Sequence, residues 1–166
     1  MTVIVWIVEG TWPACVDAAR THTPADAELV LLHVTGHEVP GAAHGAYAGL
    51  LGRARPDRDP GTAVEHLAAA SAEQLLASAA ERLGRPCTCR ECPGRAEGEV
   101  VTAAEGADLL ILARDGDRTH VGPRSLGPAG RFIVDHASCP VLLVWPDTAP
   151  STTTSPPPPP HLPHHY

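Results

Sequence analysis

The residues best suited to chemistry lie between positions 108 and 145, where glycines follow a short apolar run. Leu109–Leu112 are all apolar, as is typical of a strand buried on both faces of a parallel sheet. Glycines then punctuate a loop and a helix entrance, at Gly116, Gly122, Gly127 and Gly130. In such a strand–turn–helix unit, backbone N–H groups point out of the turn and the helix N-terminus adds positive partial charge. The spacing predicts a loop that holds a phosphate.

The elements that must position this loop alternate between strand and helix. Short apolar runs predict the strands, and apolar residues at three- and four-residue spacing predict the helices. The predicted strands are Val3–Val8, Glu28–Val34, Pro86–Cys92, Leu109–Leu112 and Val141–Val144. The predicted helices are Pro13–His22, Thr62–Leu83, Ala96–Glu105 and a short one opened by Pro128. This order predicts an α/β fold with a parallel sheet, right-handed crossovers and helices on both faces.

Two predicted elements carry more specific expectations. Thr62–Leu83 has one apolar stripe, formed by Val64, Leu67, Ala68, Ala72, Leu75, Leu76, Ala79 and Leu83. Thr62 with Glu65 fits a capping box, and Gly84 a helix stop. Pro86–Cys92 is polar, which predicts a strand at a sheet edge.

Length and composition indicate one globular domain. The chain has 166 residues, of which 43% are hydrophobic and only 4% aromatic, so the core is built from alanine, valine and leucine. The net charge of −7 argues against a nucleic-acid partner, which needs clustered lysine and arginine. No apolar run reaches the roughly 20 residues of a membrane span. The apolar N-terminus lacks a basic start and a cleavage site, which favours a cytoplasmic protein.

Two stretches differ in composition from the rest. Residues 35–61 are rich in glycine and proline and form a long connection, either an ordered excursion or a functional segment. Residues 147–166 are low in complexity, with five consecutive prolines and several histidines, and are expected to be disordered or polyproline-like. The predicted organisation is a domain over residues 1–146 followed by this tail.

Other reactive residue types give weaker signals. Cys87, Cys89 and Cys92 suggest a metal cluster, but a regular strand turns Cys87 and Cys92 to opposite faces. A strong zinc signal would show paired C-x2-C units or downstream histidines at ligand spacing. The simpler interpretation is that these residues fill the strand. His33 and His136 are interpreted as structural. The motifs of serine hydrolases, P-loop proteins and zinc proteases are missing from the sequence, so no catalytic residue is named.

Three segments resemble the universal stress protein family. His136–Val144 matches the family's helix end and last strand, which typically read His-Ala-Pro-Cys-Pro-Val-Leu-Val-Val. Residues 3–11, VIVWIVEGT, stand where the family has a strand ending in Asp-Gly-Ser/Thr, and Glu28–Val34 is close to its second strand. The family loop has the pattern G-x2-G-x9-G-[ST]. The resemblance implies a five-stranded, Rossmann-like sheet of the adenine nucleotide alpha-hydrolase type, with strand order 3-2-1-4-5.

The resemblance also implies a site, in the crevice where this strand order reverses. There the turn after strand one would face Ala113–Gly127, and ATP or a related adenine nucleotide, with Mg²⁺, would be the ligand. The implied binding residues are Glu9, Gly10, Thr11, Val34, Ala113, Gly116, Ser125 and Gly127.

The sequence departs from the family loop at several of these positions. Ala113 replaces the first glycine, Pro128 replaces the serine or threonine, and Gly127 fits only if the spacing grows by one residue. Pro128 removes a hydroxyl and a backbone donor. Compensation is available from Ser125 and three arginines, Arg114, Arg118 and Arg124.

Two functions therefore stay open. One is a non-enzymatic stress-response regulator that responds to adenine nucleotide, with at most weak ATPase activity. The other is a nucleotide-independent interaction module whose loop is retained for packing. In both, strand 140–145 is an apolar edge at which the family often dimerises, so a homodimer is expected.

Overall fold

The structure, a computed structural model, describes residues 1–36 and 60–151, leaving aside the side chains of residues 60–63 and 65. The strands are β1 (Thr2–Trp6), β2 (Glu28–Thr35), β3 (Thr88–Pro93), β4 (Leu109–Ala113) and β5 (Val141–Val144). The helices are α1 (Trp12–His22), α2 (Pro60–Leu83), α3 (Ala96–Ala104) and α4 (Pro128–His136). A single 3₁₀ turn, Pro123–Ser125, precedes α4 in the described chain. These bounds lie within two residues of the predicted ones.

All five strands pair in parallel, in the order β3-β2-β1-β4-β5. Val3 of β1 lies opposite Leu29 of β2 on one side and Leu109 of β4 on the other. The ladder continues one bond past β1, because the N–H of Ile7 donates to the carbonyl of Leu32 at 2.8 Å. The expected fold class and strand order are confirmed, as is the edge position of the polar strand β3.

The sheet separates two apolar cores because successive strand residues point to opposite faces. Val3, Val5 and Ile111 pack with α1 and the second half of α2. Ile4, Leu110 and Leu112 form the other core with three buried residues of α3 and α4, namely Val100, Ala104 and Ile133. Burial on both faces is the reason that β1 and β4 read as continuous apolar runs.

The apolar stripe of α2 reaches the core only in its second half. Buried residues begin at Ala72, whereas Leu67 is 72% exposed and Ala68 is also exposed, so the predicted apolar stripe is not buried along its whole length. A helix of 24 residues spans about 36 Å, while the eight residues of β2 span about 26 Å, so the helix is longer than this strand.

The buried half of α2 is tied to α1 by an ion pair. The Arg82 guanidinium donates to both oxygens of Asp17, at 2.9 and 2.7 Å. The hydrogen bond from Arg82 lowers the pKa of the Asp17 carboxyl below its usual range. Both side chains are about half exposed, so solvent screens the pair and it adds little to the stability of the fold. Gly84, at φ +66°, ends the helix as the sequence predicts.

Several expectations fall outside the described part of the chain. They are the Thr62–Glu65 capping box, most of the 35–61 connection, and the tail beyond Ser151. In residues 1–36 and 60–151, no helix combines the length and the apolar character needed to cross a bilayer.

Candidate functional site

The carboxyl ends of β1 and β4 lie side by side where the strand order reverses. β1 pairs with β2 on one side and with β4 on the other, so the two halves of the sheet are wound in opposite directions from this point. Ligands of open α/β sheets bind beyond the strand ends at such a point. The turn after β1 and the loop after β4, residues 114–127 (the glycine loop), both begin there. Val34, near the end of β2, is half-buried at the same side of the sheet.

The turn after β1 depends on Gly10, whose φ of +83° lies in the left-handed region that favours glycine. The N–H groups of Thr11 and Trp12 donate to the Val8 carbonyl at 3.2 and 3.0 Å and lead into α1. Glu9 is exposed and lines a cavity of about 230 Å³ with Trp12 and four residues of α2, namely Ser71, Gln74, Leu75 and Ser78. None of the described residues lining this cavity belongs to the glycine loop, so Glu9 shares a space with α2 instead.

The glycine loop folds back on itself around Gly116. The N–H of Gly116 donates to the Ser125 carbonyl at 3.0 Å. A Cβ at Gly116 would lie 2.8 Å from backbone atoms of Leu126 and Gly127, and closer still to the carbonyl oxygen of Arg124. Real Cβ atoms do not approach backbone so closely, so only glycine fits here.

Three candidate ligand residues in the glycine loop or directly before it are engaged inside the protein. Ala113 ends β4 with its side chain in the core against α1. Ser125 is completely buried, and its hydroxyl donates to the Gly122 carbonyl at 2.6 Å and accepts a short hydrogen bond from Arg114 Nη1. The same guanidinium lies 4.6 Å from the centre of the Trp145 ring. Ser125 and Arg114 therefore brace the loop against the end of β5.

The remaining arginines of the loop differ in their partners. Arg118 forms an ion pair with Asp147 at 3.0 Å, whereas Arg124 is exposed. Asp117 accepts hydrogen bonds from the backbone and hydroxyl of Thr119, which lower the pKa of its carboxyl. Arg118 is thus paired with the chain just after β5, while Asp117 is bonded within the loop.

The N-terminus of α4 is occupied by a carboxylate from the other end of the loop. Asp115 Oδ1 accepts a hydrogen bond from the Gly127 N–H at 2.7 Å, and Oδ2 accepts one from the Gly130 N–H at 3.1 Å. Pro128 opens the helix between them, as predicted. A phosphate held in the manner expected for this loop would need the same two donors. The residues in this arrangement therefore do not fit a phosphate group.

Sequence reasoning missed Asp115. An acidic residue favours a helix N-terminus, but the recognisable capping patterns place it within a few residues of the helix. Asp115 acts from 12 and 15 positions away, which only the folded loop reveals. The one sequence signal is an acidic residue directly before Gly116.

The cysteines and histidines have structural surroundings. Cys92 is buried while Cys89 is exposed, and the described residues contain no group of three or more metal-ligating side chains suited to an ion. Burial raises the pKa of the Cys15 thiol to about 12. His33 Nδ1 lies 2.8 Å from the carbonyl oxygen of Ile7, and His136 Nδ1 lies 2.8 Å from that of Phe132.

Comparisons with solved structures support the fold described above. A universal stress protein in complex with cAMP superposes with a TM-score of 0.58 and 17% identity, covering 89% of this chain and 98% of its own. A family member from Arabidopsis thaliana with AMP bound gives a TM-score of 0.56 and 20% identity, with 89% and 93% covered. The universal stress protein UspA from Lactobacillus plantarum gives 0.58 and 18%, with 87% and 97% covered. At these identities the likeness establishes the fold alone.

Sequence comparison gives the family directly. No curated protein matches the chain. Residues 9–144, most of the chain, match the description "Universal stress protein family". The match spans both the turn after β1 and the whole glycine loop. The chain therefore belongs to the universal stress protein family.

Proposed function

We propose that this protein is a stress-response regulator that works as an interaction module, without a nucleotide phosphate in its glycine loop. The observation that carries the proposal is the Asp115 carboxylate, which already takes the Gly127 and Gly130 N–H groups. The family membership supports the stress-response role. The inward positions of Ser125 and Ala113 support a loop that braces the fold.

We propose in addition that β5 pairs with a second copy of the chain. Within the described sheet β5 is an edge strand, and Val141–Val144 are all apolar and only half-buried. An apolar edge with free backbone groups favours pairing with another strand, and an identical chain gives a symmetric dimer. Sedimentation of the full chain should give twice the monomer mass at micromolar concentration. A monomer across that range would contradict the proposal.

A second function, an adenine-nucleotide-responsive switch, is favoured by the cavity at Glu9. A carboxylate and an indole ring line it, and two structural neighbours were determined with cAMP and AMP. In this alternative ATP or a related nucleotide, with Mg²⁺, would contact the residues named from the sequence: Glu9, Gly10, Thr11, Val34, Ala113, Gly116, Ser125 and Gly127.

Calorimetry on the full chain separates the two functions. For the interaction module we expect neither heat nor a thermal shift with millimolar ATP, with or without Mg²⁺. Micromolar binding that is lost in Glu9→Ala would replace this proposal with the nucleotide switch. Asp26→Ala is the matched control, because Asp26 is an exposed carboxylate in the turn before β2, at the opposite end of the sheet.

A further inference from the structure

We propose that Asp115 is a built-in anion that sets the specificity of the glycine loop, and that its removal uncovers a latent phosphate site. The inference rests on the proposed function, in which the native loop holds no phosphate. It adds that one side chain is responsible, and that the backbone of the loop retains the capacity to bind an anion.

The first argument is the supply of hydrogen-bond donors at the start of α4. The first N–H groups of a helix have no partner within the helix and point at whatever lies beyond it. Pro128 has no N–H, so the donors at this turn are those of Gly127, Ala129 and Gly130. Asp115 takes two of these three, at 2.7 and 3.1 Å. A phosphate is left with too few donors unless the carboxylate moves away.

The second argument is space. A Cβ at Gly127 would lie 3.1 Å from Asp115 Oδ2, and one at Gly130 would lie 2.5 Å from Oδ1. Two glycines thus leave room for an anionic group against the helix, and the carboxylate fills that room. Removing the carboxylate opens a glycine-lined recess whose donors are already aligned.

The third argument is charge. A carboxylate beside the helix N-terminus neutralises the positive partial charge there and repels a second anion. Arg118 does not offset this repulsion freely, because it forms an ion pair with Asp147. Loss of Asp115 removes the repulsion and restores the positive partial charge.

The test uses the full chain and three variants, Asp115→Gly, Asp115→Asn and Asp117→Asn. Asp117→Asn is the matched control, since its carboxylate is in the same loop but accepts hydrogen bonds from Thr119. The probes are inorganic phosphate and ATP. The readouts are the backbone amide NMR signals of Gly127 and Gly130 and the thermal midpoint. Asp115→Asn keeps the shape of the side chain, so it provides a folded variant if Asp115→Gly is too unstable.

In Asp115→Gly, phosphate should shift both glycine amide signals and raise the thermal midpoint, with an affinity about tenfold or more above that of the native chain. Asp115→Asn should gain less, because the amide oxygen still accepts one bond. Asp117→Asn should behave as the native chain does. The inference is wrong if phosphate shifts the Gly127 and Gly130 amide signals in neither Asp115 variant, or shifts them equally in the native chain.

The two proposals fail in different ways. ATP binding to the native chain through Glu9, with the Gly127 and Gly130 amides unmoved, would overturn the proposed function and leave the role of Asp115 intact. If the native chain does not bind ATP and the Asp115 variants do not bind phosphate more tightly, the role of Asp115 is overturned and the proposed function stands.

Discussion

Replacing Gly116 with alanine should lower the free energy of unfolding by about 2–3 kcal/mol. The added methyl would meet the backbone of Arg124, Leu126 and Gly127, and backbone yields less readily than the end of a side chain. Relief of the clash requires the loop to open. Opening would break the bonds from the Gly116 and Asp117 N–H groups to the Ser125 and Arg124 carbonyls. Equilibrium unfolding in urea measures the loss.

Gly98 provides the control for this prediction. It lies in α3, and a Cβ there would meet nothing within 4 Å. Gly98→Ala should therefore stabilise the protein by about 0.5–1 kcal/mol, the usual gain from replacing glycine inside a helix. If both alanine variants change stability in the same direction, close approach at Gly116 is not what the loop depends on.

Replacing Ile111 with alanine should cost about 2–5 kcal/mol, the range measured when a large aliphatic side chain is removed from a rigid core. Ile111 is fully buried in β4, opposite Val5 of β1 and Leu142 of β5. It is therefore held by neighbours on both sides of its strand and by the helices above, which limits how far the core can collapse into the cavity. Equilibrium unfolding in urea measures this loss in the free energy of unfolding.

Leu67 is the matched control for Ile111. It is an aliphatic residue of similar size at 72% exposure on α2, so Leu67→Ala should change stability by less than about 0.5 kcal/mol. A large loss at Leu67 would mean that the first half of α2 is covered in solution. A small loss at Ile111 would contradict the described core.

Much of the fold can be predicted from the sequence because buried strands are recognisable from their local composition. β1, β4 and β5 each read as an apolar run, and the polar composition of β3 indicates an edge strand. Local composition does not determine the strand order, since many orders satisfy the same alternation of strands and helices. The predicted order came from the family resemblance. Periodicity shows which face of α2 is apolar, but it does not show that Leu67 on that face stays exposed.

The candidate site was less predictable because its contacts join distant positions. The family resemblance named Glu9, Gly116 and Gly127, but it did not show which groups they would meet. The hydrogen bonds that Asp115 accepts from the Gly127 and Gly130 N–H groups, and the contact of the buried Ser125 with Arg114, depend on how the loop folds back. The arginines of the loop suggested compensation for its departures from the family pattern, whereas the fold shows that the Asp115 carboxylate accepts the hydrogen bonds at the start of α4.

The central position of β1 has a consequence for how the protein is made. Of the strands in this sheet, β1 leaves the ribosome first, yet Val3 lies opposite Leu109, and Thr2 bonds to Asp108 at 2.7 Å. Until β4 is synthesised, one side of β1 has no neighbour, and contacts so distant along the chain form slowly. An apolar strand left open in this way tends to associate with other chains. This edge of β1 therefore stays open to other chains throughout the synthesis of the residues between β1 and β4.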